Sequence, residues 1–410
     1  MSPKYSLDKR KIKVLLLEGI HKSAVDFLSA NGYTNVESLS GSLDDNTLIS
    51  KIKDVNIIGI RSRTQITENI LKEAGKLFAI GCFSIGTNQV DGRAARLRGI
   101  PVFNAPFSNT RSVAEMVIAE CILLMRNIPV KNAAAHRGQW LKSASNSFEV
   151  RGKNIGIIGY GHIGSQVSIL AEALGMNVYY YDIAKKLSLG KAIACSTLEE
   201  LLSVTHLVTL HVPETSLTRN MISEKELGMM RKGSCLINAS RGSVVSIPAL
   251  VSALEAEHIL GAALDVFPDE PASSGDPFIS DLRKFDNVIL SPHVGGSTTE
   301  AQENIGTEVA EKLVRYSDTG DTIGATNFVQ ISLQPNKNAQ RFLHIHRNEP
   351  GVLKEVNYVF TSKGINIAAE YLQTDAEIGY VIIDTESTLD SSIIRELRSI
   401  EGTIRVRMLY

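Results

Sequence analysis

Tryptophan and cysteine are scarce in this chain of 410 residues. Trp140 is its single tryptophan, and the four cysteines, Cys82, Cys121, Cys195 and Cys235, form no C-x-x-C pair. That scatter excludes a thiolate metal cage and a disulfide framework, so no metal site is expected and a reduced, cytoplasmic setting fits. Charge of one sign is lacking too. Lys and Arg number 43 against 44 Asp and Glu, and a formal net charge of -1 provides no basic face for nucleic acid. Long apolar runs are absent from the opening MSPKYSLDKRKIKVLLLEG, whose run of Val14 to Leu17 is ended by Glu18. That is too short for a signal segment or a membrane span and reads as a first buried strand. With 43% hydrophobic and 21% charged residues the composition is that of a globular protein, too long for one core and expected to form two or three domains.

What is present is an alternation of strand-length apolar runs with helical patterns. KVLLLE, NIIGIR, FAIGCF and PVFN read as strands, with HKSAVDFLSANG (closed by Gly32) and TENILKEAG as helices between them. A long helix is expected from about Ser112 to Met125. A second set opens at Asn154: NIGIIG, NVYYYD, LVTLHV, CLINAS, GAALDV and NVILSP as strands, with IGSQVSILAEALG as the first helix. The pattern implies an α/β architecture of two Rossmann-like, doubly wound parallel-sheet domains. A helix follows from Thr299 to about Tyr316, and the polar stretch NFVQISLQPNKNAQ (327–340) reads as a linker. The remainder, RFLHIH, PGVLKEVNYVFTSKG, INIAAEYLQT, YVIIDT, SSIIRELRSI and TIRVRML, has the βαββαβ order of a ferredoxin-like α+β domain.

The motif Gly159-Tyr160-Gly161-His162-Ile163-Gly164 follows a strand and opens a helix. Gly159 permits the tight turn, Gly161 the approach of a pyrophosphate, and Gly164 close packing of helix on strand, so the phosphates meet a helix N-terminus. Asp182 ends the next strand, where a carboxylate holds ribose hydroxyls; it favours NAD over NADP, with Lys185 and Lys186 near enough to temper the argument. Arg241 in INASRG, Glu270 in DVFPDEP and His293 in SPHVGG each follow a later strand. Ligands of open α/β sheets bind outside the carboxyl ends of the strands, which draws these three toward one cleft.

With these motifs, and with HVPETSLTRNMIS, the chain resembles the D-isomer-specific 2-hydroxyacid dehydrogenases. IGIRSRT, GTNQVD, NAPFSNTRSVAEMVI and HRGQW are similar to members of that family acting on D-3-phosphoglycerate. The resemblance implies NAD-dependent oxidation of that acid to 3-phosphohydroxypyruvate, the first step of L-serine synthesis. It assigns the base to His293, its support to Glu270, and the substrate carboxylate to Arg241. An imidazole suits the first role because its ordinary pKa is about 6.5. Asp265 joins the cofactor residues. The substrate phosphate is assigned to Arg61 and Arg63, with hydrogen bonds from Ser62 and Asn109. Trp140 and Lys142 are implied to reach the substrate region across a subunit interface of a homotetramer. The domain map becomes a discontinuous substrate domain (1–108 and 299–330), an NAD domain (109–298), a linker (331–340) and a regulatory domain (341–410), with substrate in a cleft whose closure excludes water.

The last domain resembles the ACT type. In HIHRNEPGVL a polar loop precedes a helix beginning near Pro350, and the resemblance gives L-serine to His346, Asn348 and Asn366. His344 is set aside on the expectation that strand alternation turns it to the other face; the alternative is a domain that only pairs chains. Two departures are visible. Ser246, where relatives often carry Asp, is expected to cap its helix all the same, and Gln340 stands before Arg341 where some relatives have a second arginine. Competing readings are a dehydrogenase of another D-2-hydroxy acid and a non-catalytic NAD-sensing scaffold. A side activity on 2-oxoglutarate and 2-hydroxyglutarate follows from the second carboxylate, which mimics phosphate.

Overall fold

Strands covered on both faces need continuous apolar runs, and Val14–Leu16 (β1), Ile57–Ile60 (β3) and Ala79–Cys82 (β4) are buried at every position. The computed structural model describes residues 8–271, 275–334, 339–386 and 392–409. By its internal contacts the chain divides into two units, 1–108 with 302–410, and 109–301.

In the first unit β1, β3 and β4 are joined by Val36–Ser38 (β2) and Val102–Asn104 (β5) in a parallel sheet of order β2-β1-β3-β4-β5. This order reverses between β1 and β3, and open sheets bind ligands at such a point. β2 was not anticipated: it lies at the sheet edge, with Val36 and Glu37 half-buried and Ser38 exposed. The helix Thr299–Thr319 lays Ile305, Val309 and Leu313 into the core of this sheet. Its approach explains Gly81, where a Cβ would stand 2.8 Å from Val309 Cγ1 and 2.9 Å from Leu313 Cδ1.

The stretch expected as a polar linker is packed up to Gln334. Phe328, Ile331 and Leu333 are buried, while Asn327 accepts from the Val102 amide (2.8 Å) and donates to the carbonyls of Gly92 (3.0 Å) and Ile100 (3.1 Å). Apolar and polar residues alternate here as in an extended segment with one buried face, which outweighs the polar composition. Of the linker proper, residues 335–338 lie outside the described residues.

Beyond it, Gln340–Arg347 (β13), Ile367–Thr374 (β14), Ile378–Thr385 (β15) and Thr403–Leu409 (β16) form an antiparallel sheet of order β14-β15-β13-β16, with helices Val352–Thr361 and Ser392–Ser399 on one face. Phe342 packs under those helices against Phe360. Leu343, Ile345, Tyr380 and Ile382 point the other way, into the core that also holds Phe78, Tyr316 and Phe328.

The second unit holds seven parallel strands: Asn154–Ile158 (β6), Asn177–Tyr181 (β7), Ile193–Ala194 (β8), Leu207–Leu210 (β9), Ser234–Asn238 (β10), Ile259–Leu264 (β11) and Val288–Leu290 (β12). Their order, β12-β11-β10-β9-β6-β7-β8, reverses between β6 and β9. The helix Thr110–Met125 packs Val113, Val117, Cys121 and Leu124 into the core below. Ser246 takes the N-cap position of the helix Ile247–Glu255, but its side chain makes no capping hydrogen bond, so the expected cap is not formed.

Candidate active site and effector site

The glycine motif sits at the reversal point of the second sheet. Gly159 turns with φ +91°, and a Cβ there would lie 2.3 Å from the His211 carbonyl oxygen. A Cβ on Gly164 would lie 2.2 Å from the Gly159 oxygen, so helix and turn are in contact. Gly161 differs: a Cβ would meet nothing within 4 Å, which leaves open space in front of the helix His162–Ala173, whose first turn carries no side-chain cap. This cradle fits a dinucleotide pyrophosphate. Tyr160 is buried, stacked on Tyr180 with centroids 3.8 Å apart and bonded to Ser168 (2.9 Å), so its side chain is a packing element. Its amide donates to Asp182 Oδ2 (2.8 Å), and the Ala184 amide donates to Oδ1 (2.8 Å). Asp182 is thus held at the end of β7 with further lone pairs for ribose hydroxyls. His162 is exposed and Ile163 half-buried in the first helical turn.

The loops after β10, β11 and β12 carry Arg241, Glu270 and His293. Asn238, fully buried at the end of β10, accepts from the Ser240 amide (3.1 Å) and hydroxyl (2.8 Å) and donates to the Arg241 carbonyl (3.0 Å), which sets the loop that presents Arg241. Gly242 lies against the next loop, where a Cβ would stand 2.0 Å from the carbonyl carbon of Phe267. Glu270 Oε1 accepts from the Phe267 amide (3.1 Å), and Oε2 meets His293 Nδ1 at 2.9 Å. Nε2 of His293 carries no hydrogen bond among the described residues.

Each charge has a cause. The Glu270 hydrogen bond raises the His293 pKa above its ordinary value against the opposing effect of burial, with the charges of Glu270 and Asp265 adding to the rise and Arg241 opposing it. Burial would raise the Glu270 carboxyl, but the His293 bond and charge, the Phe267 amide and Arg241 together hold it below the usual range. His293 also sits at φ +53°, an uncommon conformation for a residue with a side chain. Asp265 holds it there, accepting from Ser291 Oγ (2.6 Å) and the amides of Val294 (2.8 Å) and Gly295 (2.8 Å). Expected as a cofactor residue, Asp265 is seen here clamping the loop of His293.

In the first unit Arg61, Ser62 and Arg63 follow β3, and a residue missed in the sequence organises them. Glu18, at the end of the first apolar run, is 8% exposed and accepts from the amides of Arg61 (3.2 Å), Arg63 (2.9 Å) and Thr64 (2.9 Å). Burial pushes its carboxyl up, and the donors of Arg63, Thr64 and Arg61 pull it below its ordinary value. The Gln89 carboxamide adds a bond to the Arg61 carbonyl (2.5 Å). Asn109 is buried at the start of the helix Thr110–Met125, in the second unit, with its carboxamide against Gly296. Trp140 is 86% exposed and Lys142 exposed, on the segment after the helix Ile128–His136.

Of the effector residues, His346 is buried at the end of β13, Asn348 is exposed and donates to the Asp375 carbonyl (2.6 Å), and Asn366 is exposed just before β14. His344 does not face away from His346. Residues two apart on a strand share a face, and the two rings meet Nδ1 to Nδ1 at 3.3 Å.

Residues 118–295 match the family described as D-isomer specific 2-hydroxyacid dehydrogenase, NAD binding domain, and residues 342–405 match an AHAS small subunit-like ACT domain. The chain is 58% identical over 409 residues to the D-3-phosphoglycerate dehydrogenase of Escherichia coli (strain K12), covering 99% of this chain and 100% of that one. The chain belongs to the D-3-phosphoglycerate dehydrogenase family. Its Haemophilus influenzae relative of the same name is 57% identical over 410 residues, with both chains covered in full. Among solved structures, D-lactate dehydrogenase from Aquifex aeolicus, complexed with NAD and lactic acid, aligns with a TM-score of 0.65 at 27% identity, over 74% of this chain and 95% of that one. As a member of this dehydrogenase family the chain is an NAD-dependent oxidoreductase, and the cradle around Gly161 is where its geometry admits the cofactor. Among the described residues no helix is long and apolar enough to cross a membrane.

Proposed function

We propose that the protein oxidises D-3-phosphoglycerate to 3-phosphohydroxypyruvate, and that the contact of His293 Nδ1 with Glu270 at 2.9 Å is the observation that carries the chemistry. A carboxylate on Nδ1 fixes the proton there, so neutral His293 offers a bare Nε2 to the C2 hydroxyl of a 2-hydroxy acid. As that proton transfers, Glu270 stabilises the imidazolium. Arg241 receives the substrate carboxylate through its planar fork and polarises the C2 oxygen. When bound, NAD supplies the acceptor for the C2 hydride. Arg61 receives the phosphate together with Ser62 and Arg63, on a loop that Glu18 holds by its backbone, and Asn109 adds a hydrogen bond to the substrate. Trp140 and Lys142 complete the substrate region from a neighbouring subunit of a homotetramer in the cytoplasm. L-serine acts as an inhibitor at His346, Asn348 and Asn366, and 2-oxoglutarate is a secondary substrate.

Following NADH oxidation with 3-phosphohydroxypyruvate tests the main reading, and the absence of turnover would sink it. Adding L-serine to the same assay tests the effector; turnover that it leaves unchanged would reduce the last domain to an assembly module.

A further inference from the structure

The residues between Asp182 and β8 form neither helix nor strand, yet they are held along their whole length. The Ala184 amide donates to Asp182 Oδ1 (2.8 Å). Tyr180 Oη donates to the Lys186 carbonyl (3.0 Å) and meets Ser188 Oγ at 3.0 Å. Tyr160 Oη accepts from the Leu189 amide (3.3 Å) while it donates to Ser168 Oγ (2.9 Å). Glu172 accepts from the Lys191 amide (3.1 Å). Apolar burial does not supply this order: residues 183–191 are all exposed, Ile183 at 85% and Leu187 at 88%. Exposed segments of this kind are ordinarily the mobile parts of a fold, so the hydrogen bonds are what fix this one.

The tyrosines that hold the loop also belong to the cofactor turn. Tyr160 lies between Gly159 and Gly161, gives its amide to Asp182 and stacks on Tyr180 of β7, the ring planes 20° apart. Both are buried, 4% and 3% exposed, so each hydroxyl reaches the loop from a fixed base. One stacked pair therefore joins the glycine turn, the carboxylate at the end of β7 and the loop beyond it. Phenylalanine at either place would keep the stack and lose the tie.

We propose that Tyr180 and Tyr160 are positioning residues for the adenosine end of NAD, whose hydroxyls hold the loop 183–191 in place before the cofactor arrives. The inference rests on the ribose lying at Asp182, since the next residue opens the loop. A loop ordered in advance loses less freedom on binding, so the hydroxyls act on cofactor affinity and leave hydride transfer alone. Tyr180 has the larger share, because it holds the middle of the loop through both Lys186 and Ser188, where Tyr160 holds only Leu189.

Tyr180→Phe removes the hydroxyl and keeps the ring. Without cofactor, hydrogen exchange of peptides covering 183–191 should be faster in this variant of the full chain than in the wild type. Calorimetric titration should show NAD and ADP-ribose each weakened about 3–10-fold, the worth of one neutral hydrogen bond. At saturating NAD, kcat should not fall, and KM for 3-phosphoglycerate should stay in place. A fall in kcat and in the thermal midpoint alongside affinity would mean a structural role only and would overturn the proposal. Ser188→Ala removes the contact from the loop side, on an exposed residue, and should weaken NAD in the same direction. Combined with Tyr180→Phe it should add little, because that contact is already gone. Unchanged exchange or unchanged NAD affinity in Tyr180→Phe overturns the proposal, as does full additivity of the two substitutions. Asp182→Ala tests the ribose reading separately. If NAD affinity is unaltered there, the assignment of the loop to the adenosine end falls, and the exchange of 183–191 still decides whether the tyrosines hold it.

Discussion

His293 is set for its chemistry by two neighbours that act on different properties. Glu270 fixes its proton and raises its pKa, while Asp265 holds its backbone at positive φ by three hydrogen bonds. Removing the base, His293→Ala, should lower kcat by roughly 10²–10⁴, the usual range for a lost acid–base group, and a fall below about threefold would reject the assignment. Oxidation needs the neutral ring. Because the His293 pKa is raised, the rate should climb with pH through a midpoint above 6.5, and ketoacid reduction, which needs the imidazolium, should fall through the same midpoint. Glu270→Gln removes the first cause of that rise, so both midpoints should move down; profiles that stay in place would show that Glu270 does not set the pKa. Glu18 works in a different way, through the amides of the Arg61 loop. Glu18→Ala should raise KM for the phosphorylated substrate more than it lowers kcat, which initial-rate kinetics would show.

At the scale of elements, the site is three loops locked against one another after β10, β11 and β12. Gly242 shows how tightly: the atom 2.0 Å from its would-be Cβ is backbone and cannot rotate aside. Gly242→Ala should therefore displace either the Arg241 loop or the Glu270 loop, lowering kcat/KM and the thermal midpoint together; a variant with wild-type values for both would show that the loops yield. Much of this level was legible. Buried strands announce themselves as apolar runs, and a reactive side chain directly after such a run belongs at the ligand-binding edge, so Arg241, Glu270 and His293 were each visible from their own neighbourhood. Edge strands β2 and β8 were not, because they have little apolar surface to bury. Nor were the holds made by Glu18 and Asp265, whose partners lie on loops distant in sequence, or by Asn238, which grips the Ser240–Arg241 turn just after it; none of them leaves a periodic trace. His344 was misjudged for a simpler reason: a period of two returns the third residue of HIH to the face of the first.

Across the first unit as a whole, the position of the last sheet depends on charge as well as on its apolar face. Arg341 and Asp384 are buried together, their side chains 7% and 1% exposed, with Nε to Oδ1 at 2.7 Å and Nη2 to Oδ2 at 2.8 Å. The remaining nitrogen, Nη1, donates to the carbonyls of Thr319 (2.9 Å) and Gln334 (3.3 Å), so one guanidinium ties β13 and β15 to the end of the long helix and to the segment that leads into the sheet. A second, more exposed connection runs from Arg93 and Arg96 to Glu377, with Arg96 also 3.2 Å from Asp375. The two should contribute unequally. Exposed pairs are worth about 0–1 kcal/mol each, whereas removing one member of a buried pair costs about 3–5 kcal/mol because the other charge stays in the interior. Arg341→Ala should therefore destabilise the first unit by several-fold more than Arg93→Ala does. Replacing both members with apolar residues of similar volume, Arg341→Met with Asp384→Leu, should recover most of the loss, since the desolvation of both charges is then avoided. Urea unfolding followed by far-UV circular dichroism reads all three. An Arg341→Ala midpoint equal to that of Arg93→Ala would mean that the apolar face around Leu343, Ile345 and Tyr380 holds the sheet without the buried pair.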